Sequence, residues 1–314
     1  MPVHSKNKHR VKLVKKNKSS FKFPFWLKYI LYIPFALVVV FILYIAFAPS
    51  KYWDGKSRLA LAVNTKQTNI NVLVFDPQTN SITSVIVPEN AELEVARQLG
   101  AWKTGSIWKL GVNEKVGGQL LSETITKSFR LPTEAWADTE ALGFSKANSI
   151  SILKAMFTGY KTNLTLKDKI GIGLFSLSVK NSERSEIDLS QTPFLTKAKL
   201  SDGSSGYKVR EVGSAQISAI FADSKISEEN FSVNIFYPEG KILTAQKLGE
   251  IVQVLGTKVT SLQPLDVTNF DCIILGRESI TRTKIAQVFS CKVEKKDLGS
   301  TLEIKIGDNF IKRF

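Results

Sequence analysis

The chain has 314 residues, with 43 Lys and Arg against 28 Asp and Glu, a formal charge of +15, and 43% hydrophobic residues. The excess charge is concentrated at one end: residues 1–28 carry nine basic residues and no acid, so the remainder holds 34 basic and 28 acidic residues. Both histidines, His4 and His9, lie in that basic segment, which excludes Ser-His-Asp and Cys-His catalysis and His-ligated metals from the rest of the chain.

Tyr29 to Ala48, YILYIPFALVVVFILYIAFA, is uncharged over 20 residues. A helix of that length spans about 30 Å, the thickness of the bilayer hydrocarbon. Trp26, Tyr29 and Tyr32 flank one end, and Tyr44, Tyr52 and Trp53 the other, as interfacial aromatics do. The basic flank precedes the span, so the positive-inside rule predicts a cytosolic N-terminus with residues 49–314 outside the cell membrane. A cleaved signal peptide is the rival reading, because Ala46-Phe47-Ala48 has A-x-A form, but signal-peptide apolar regions run only about 7–15 residues. We therefore expect a basic cytosolic tail over 1–24 and a single-pass signal anchor over 25–48. The tail lacks interleaved aromatics and helical periodicity, and no specific nucleic-acid partner is expected.

Beyond the anchor, Arg58–Val63 (RLALAV), Asn71–Phe75 and Ser81–Val87 read as strands. Asp76-Pro77-Gln78-Thr79-Asn80 between the last two is a turn: Pro77 presets φ, Asp76 caps the backbone ahead and Asn80 tolerates the left-handed region. Residues 91–99 (AELEVARQL) set acids and apolars at helical spacing and stop at Gly100, which predicts a helix with Arg97 on its solvated face. Residues 120–131 and 150–160 read as further amphipathic helices, and 180–207, Ser- and Lys-rich with SDGSSG at 201–206, as a long loop. A helix and connector over 214–230 lead into a second unit. There strands at 231–237, 258–265, 271–276 and 301–307 interleave with helices at 244–256 and 281–291, predicting a compact sheet with helices on one face.

Catalytic motifs are scarce. GAWKTGS (100–106) lacks Walker A order, and no G-x-S-x-G occurs. Trp102, Trp108 and Trp136 either fill a core or line a lipid or sugar groove. Cys272 and Cys291 are open to two readings, a disulfide or two buried thiols.

The segment 57–142 resembles the LytR–CpsA–Psr family of cell-envelope proteins. The family hallmark runs Asp-Thr, an apolar strand, (D/N)-P-x-T, a second strand and S-I-P-R-D. Here Asp76-Pro77 matches the turn, Thr68-Asn69 stands where Asp-Thr would be, and Pro88-Glu89-Asn90 where Pro-Arg-Asp would be. Lys109-Leu110-Gly111-Val112-Asn113-Glu114-Lys115-Val116-Gly117-Gly118 is similar to the family's K-I-N-A-A-Y-x-x-G-G, with Gly111 in place of Asn. Residues 228–314 resemble the LytR C-terminal domain, through Tyr237-Pro238-Glu239-Gly240 and the closing Ile306-Gly307-Asp308-Asn309-Phe310.

The resemblance implies an α/β fold: the transmembrane helix, a degenerate mixed-sheet domain over 57–212 and a small α/β domain over 228–314. It also implies glycopolymer phosphotransfer from a polyprenyl-pyrophosphate carrier with Mg2+. That chemistry needs cations in fork geometry around the diphosphate and carboxylates on the metal. Thr68, Glu89, Asn90 and Gly111 occupy the family's positions without supplying them, and Arg184 and Arg210 read as isolated, solvent-facing residues. The expectation is therefore a non-catalytic, wall-associated binding or scaffold protein without a cofactor. Its partners would be the bilayer and a cell-wall glycopolymer or polyprenyl lipid. A Mg2+-dependent phosphotransferase with a rearranged site is the first alternative and an envelope-related transcriptional attenuator the second.

Overall fold

The computed structural model describes residues 35–36, 39–40, 49–65, 69–210, 220–266 and 269–314. The predicted tail, most of the predicted anchor and Thr68 lie outside them. Among the described residues, no helix is long and apolar enough to cross a membrane. The chain divides into Met1–Ala48 and a compact unit, Pro49–Phe314, which is described here.

Three strands open the unit: β1 (Leu59–Asn64), β2 (Ile70–Asp76) and β3 (Ser81–Val87). The turn between β2 and β3 forms as its residues dictate. Gln78 N–H donates to Asp76 Oδ1 at 2.9 Å, and Asn80 takes φ 50°. Then come β4 (Ala91–Glu94), β5 (Ala101–Lys103), α1 (Thr104–Asn113), α2 (Gln119–Phe129) and β6 (Ala135–Ala137). A 3-10 turn leads to α3 (Ser149–Phe157) and α4 (Leu166–Ser178), followed by β7 (Arg184–Asp188), β8 (Leu195–Lys199) and β9 (Ser205–Val209).

One mixed sheet runs in the order β6-β1-β2-β3-β7, with β6 and β7 added parallel to β1 and β3; β5-β4-β9-β8 form another. Both faces of the first sheet are buried. Ala60, Ala62, Val72, Val74, Val85 and Val87 pack with α2, through Leu120, Leu121, Ile125 and Phe129. The alternate residues Leu59, Leu61, Val63, Leu73 and Phe75 pack with α3 and α4, through Ile152, Ala155, Met156 and Ile172. A strand covered on both sides needs apolar residues on both of its faces, which is why residues 59–63 and 72–75 are unbroken apolar runs.

The second half contains α5 (Ser224–Glu229), β10 (Ser232–Pro238), α6 (Ile242–Val254), β11 (Lys258–Leu265), β12 (Cys272–Gly276), α7 (Ile280–Phe289), β13 (Lys292–Lys295), β14 (Thr301–Ile306) and α8 (Asp308–Arg313). The sheet order is β11-β10-β14-β12-β13. Here burial alternates: Val233, Ile235 and Tyr237, Leu302, Ile304 and Ile306 face the helices in one core. Cys272 and Cys291 are joined in a disulfide between β12 and the end of α7.

Two sequence expectations are corrected. Residues 91–99 are not a helix. Ala91 and Leu93 are buried while Glu92 and Glu94 point outward, a period of two that pairs β4 with β5 and β9. The chain then turns at Arg97 and Gln98, with φ 64° and 57°. The supposed loop over 180–207 carries β7 and β8, polar strands at sheet edges, and most of β9, which pairs between β4 and β8. Helices α1 and α4 have no counterpart among the sequence expectations.

A buried ionic seam joins the two halves. Lys284 on α7 donates to the Arg58 carbonyl at 2.6 Å and lies 3.7 Å from Glu134 Oε1. Glu134 Oε2 accepts from Ala60 N–H at 2.8 Å, and Asp223 Oδ2 accepts from Arg58 N–H at 2.6 Å. Burial pushes the Glu134 carboxyl above its ordinary value, against the pull of Lys284.

Candidate functional site

The tip of β3 is a built structure. Glu89 N–H donates to Asn69 Oδ1 at 3.0 Å, and the Glu89 carbonyl accepts from Gly105 N–H, in the first turn of α1, at 3.1 Å. The Asn90 carbonyl accepts from Tyr207 N–H at 3.1 Å. Strand β3, helix α1 and strand β9 thus converge on Glu89 and Asn90, and the Glu89 side chain is exposed. A carboxylate at this tip repels a diphosphate, where an arginine fork would bond two of its oxygens.

Gly111 lies two turns along α1 and is buried. A Cβ built there would sit 2.2 Å from the Gly117 carbonyl oxygen, a backbone atom that cannot swing aside. The Gly111 carbonyl accepts from Val116 N–H at 2.9 Å and Gly117 N–H at 2.8 Å. This doubly bonded reverse turn between α1 and α2 occupies the space an asparagine side chain would need. Position 111 can present no polar group to a ligand in this packing.

The adjoining Gly118 admits the tryptophans: a Cβ there would meet Trp136 at 2.3 Å and Trp108 at 2.6 Å. Those two rings pack edge to face, 5.8 Å between centroids. Trp108 lies partly buried against the core around α2. Trp102 is exposed, its Nε1 donating to the Leu99 carbonyl at 2.8 Å.

Several cations of this half of the unit make contacts of their own. Lys103, at the start of α1, lies 2.7 Å from Asp202. That contact and the Ser204 hydrogen bonds hold the Asp202 carboxyl well below its usual range. Arg97 is not a solvated helical residue. It makes a fork with Glu123, Nε to Oε2 at 2.7 Å and one terminal nitrogen to Oε1 at 2.9 Å. Arg184 is not solvent-facing either: it donates to the carbonyls of Phe144, Ser176 and Val179, and burial lowers its pKa. Arg210 is exposed.

Asp76 caps its turn and does more. It is buried in an ion pair with Arg58. Burial alone would raise its carboxyl, but the Arg58 guanidinium and the Gln78 amide outweigh that and lower it. Neither Arg58 nor Arg184 was legible as a buried cation, because each has a partner in a remote segment: the Ile220 carbonyl for one, the Phe144 carbonyl for the other.

Mg2+ binding at phosphates uses one or two carboxylates in near-octahedral geometry. Among the described residues, no three His, Cys, Asp or Glu side chains come together in a group that could hold a metal. Among the described carboxylates, Asp76 is committed to Arg58 and Asp202 to Lys103.

No protein-family model and no curated protein matches the chain. Solved structures do. Bacillus subtilis TagT is 13% identical with a TM-score of 0.38, the match covering 52% of this chain and 89% of that one. The LytR-CPS2A-Psr family protein YwtF (TagT) with bound octaprenyl pyrophosphate lipid is 13% identical with a TM-score of 0.36, covering 52% and 88%. Bacillus subtilis TagV is 8% identical with a TM-score of 0.35, covering 50% and 92%. The structure neighbours of this chain are LytR-CPS2A-Psr family proteins, matched over about half its length.

Proposed function

We propose that this chain is a membrane-anchored, extracytoplasmic cell-envelope protein of the LytR–CpsA–Psr group that binds or scaffolds wall components without catalysing phosphotransfer. One observation carries the reading. The tip of β3 is held in place by Asn69 and α1 while its side chain is Glu89, and position 111, where the family has asparagine, is closed by the Gly117 carbonyl. Among the described residues, the supports of the site stand with Glu89 and Gly111 where the resemblance implies an arginine and an asparagine. The anchor rests on the uncharged stretch Tyr29–Ala48 behind a basic flank. A wall glycopolymer or polyprenyl lipid is the partner the motif resemblance points to.

The test is calorimetric titration of the full chain in detergent with a short-chain polyprenyl pyrophosphate, with and without Mg2+. The expected result is no Mg2+-dependent heat and no pyrophosphate turnover. Either signal would overturn the non-catalytic reading and restore the phosphotransferase.

A further inference from the structure

The outer faces of α3 and α4 carry large apolar side chains that the fold does not cover. On α3, Ile150, Leu153 and Phe157 are 65%, 46% and 56% exposed, at the i, i+3, i+7 spacing of one helical stripe. On α4, Leu174 and Leu177 are 59% and 42% exposed, again one turn apart. The helices run antiparallel. Lys169 Nζ reaches the Thr158 carbonyl at 3.1 Å, and Gly173 lies against Met156. That register sets Leu153 level with Leu174 and Leu177, so the two stripes adjoin. Scattered exposed apolars are ordinary, whereas five on two adjoining helices form a patch.

Charge sets the character of the partner. From 146 to 180 the chain has six lysines and one acid, Asp168. Lys146, Lys154, Lys161 and Lys180 are exposed, while Asp168 is fully buried. Asp168 faces inward because the first described residues of the compact unit are tied to it. Its Oδ1 accepts from Ser50 Oγ at 2.6 Å and from the N–H groups of Lys51, Tyr52 and Trp53 at 3.1, 3.0 and 2.9 Å. Ser50 follows Ala48, where the uncharged stretch ends, by two residues. Leu174 and Leu177 lie six and nine residues beyond Asp168, about 9–14 Å along the helix axis.

We propose that the α3–α4 face docks on the surface of an anionic phospholipid bilayer, with the five apolar side chains in the interface and the lysines among the headgroups. An apolar stripe rimmed by lysine is the pattern of helices that lie in the membrane interface. The docking rests on the membrane-anchored reading of Tyr29–Ala48.

The test reconstitutes the full chain in vesicles of phosphatidylcholine with or without phosphatidylglycerol. Single Leu153→Cys and Leu174→Cys variants carry an environment-sensitive fluorophore, with Lys109→Cys, on α1 across the first sheet, as control. Expected are blue-shifted emission and quenching by a lipid-borne quencher at 153 and 174. Both should strengthen with phosphatidylglycerol, weaken in a Lys154→Glu background and be absent at 109. Water-like emission at 153 and 174 in chains that float with the vesicles overturns the docking and leaves the anchor standing. Shielding that grows with protein concentration and ignores the lipid quencher means a second copy covers the face, and also overturns it. Failure to float with the vesicles overturns the anchored reading and the docking with it.

Discussion

Replacing Lys284 by methionine tests whether the seam between the two halves is ionic. Methionine keeps the length of the side chain and removes its charge. The Lys284 and Glu134 side chains are 4% and 3% exposed, with Nζ 3.7 Å from Oε1. At an effective dielectric of about 20, that separation corresponds to about 4 kcal/mol of attraction. Desolvation offsets part of it in the intact pair, but removing one partner strands the other charge, at a cost of about 3–5 kcal/mol. In a unit of this size that is a fall in Tm of about 10 °C.

The pH dependence follows from the direction of the Glu134 shift. Its native pKa is raised by burial, so the native state binds more protons than the unfolded state between the two values. Its contribution is therefore most favourable below the unfolded pKa and falls as pH rises toward the native one. Without Lys284 the native value climbs further. The stability gap between wild type and Lys284→Met, measured by urea unfolding from pH 5 to 8, should widen with pH and narrow on acidification. Adding Glu134→Gln should recover part of the loss and flatten that dependence. A gap below about 1 kcal/mol, or one unchanged across that range, would mean that Glu134 is uncharged in the native protein and refute the ionic seam.

Placing an asparagine in α1 with Gly111→Asn should destabilise by more than the 1–3 kcal/mol typical of overpacking, because the atom in the way is a backbone carbonyl; thermal unfolding reads it. Asp168→Asn should weaken the tether of residues 50–53, seen as faster amide exchange there. The Asp168 carboxyl, which burial alone would raise, is pulled below its usual range by its donors, Ser50 first. Its stabilisation is therefore present above the unfolded pKa and lost as pH falls through the lower native value. The difference between wild type and Asp168→Asn should accordingly shrink on acidification below about pH 4. Replacing Cys272 and Cys291 by serine opens a loop of 19 residues and should cost about 3 kcal/mol in denaturant unfolding.

Residue pattern alone determined those parts of the fold in which local periodicity and long-range packing agree. Residues 59–63 and 72–75 are apolar without a break, the pattern of a strand buried on both faces. Asp76, Pro77 and Asn80 specify the turn whatever the rest of the chain does. The strand–helix rhythm after residue 231 gave the second sheet, where alternate residues face one helical layer. Four-residue segments carry no such guarantee. Ala91-Glu92-Leu93-Glu94 satisfies a helical and an extended pattern equally, and pairing with β5 and β9 decided between them.

The candidate site divides along the same line. That Glu89 stands at a strand tip, and that Gly111 departs from the motif the chain resembles, is written in the residues. That position 111 has no room for a side chain is a fact about the Gly117 carbonyl, six residues away across a turn, and only tertiary structure contains it. The same holds for Arg97, Arg184 and the Lys284 seam. A charged residue reads as solvated until the fold brings it a partner, and those partners come from segments that the sequence does not join.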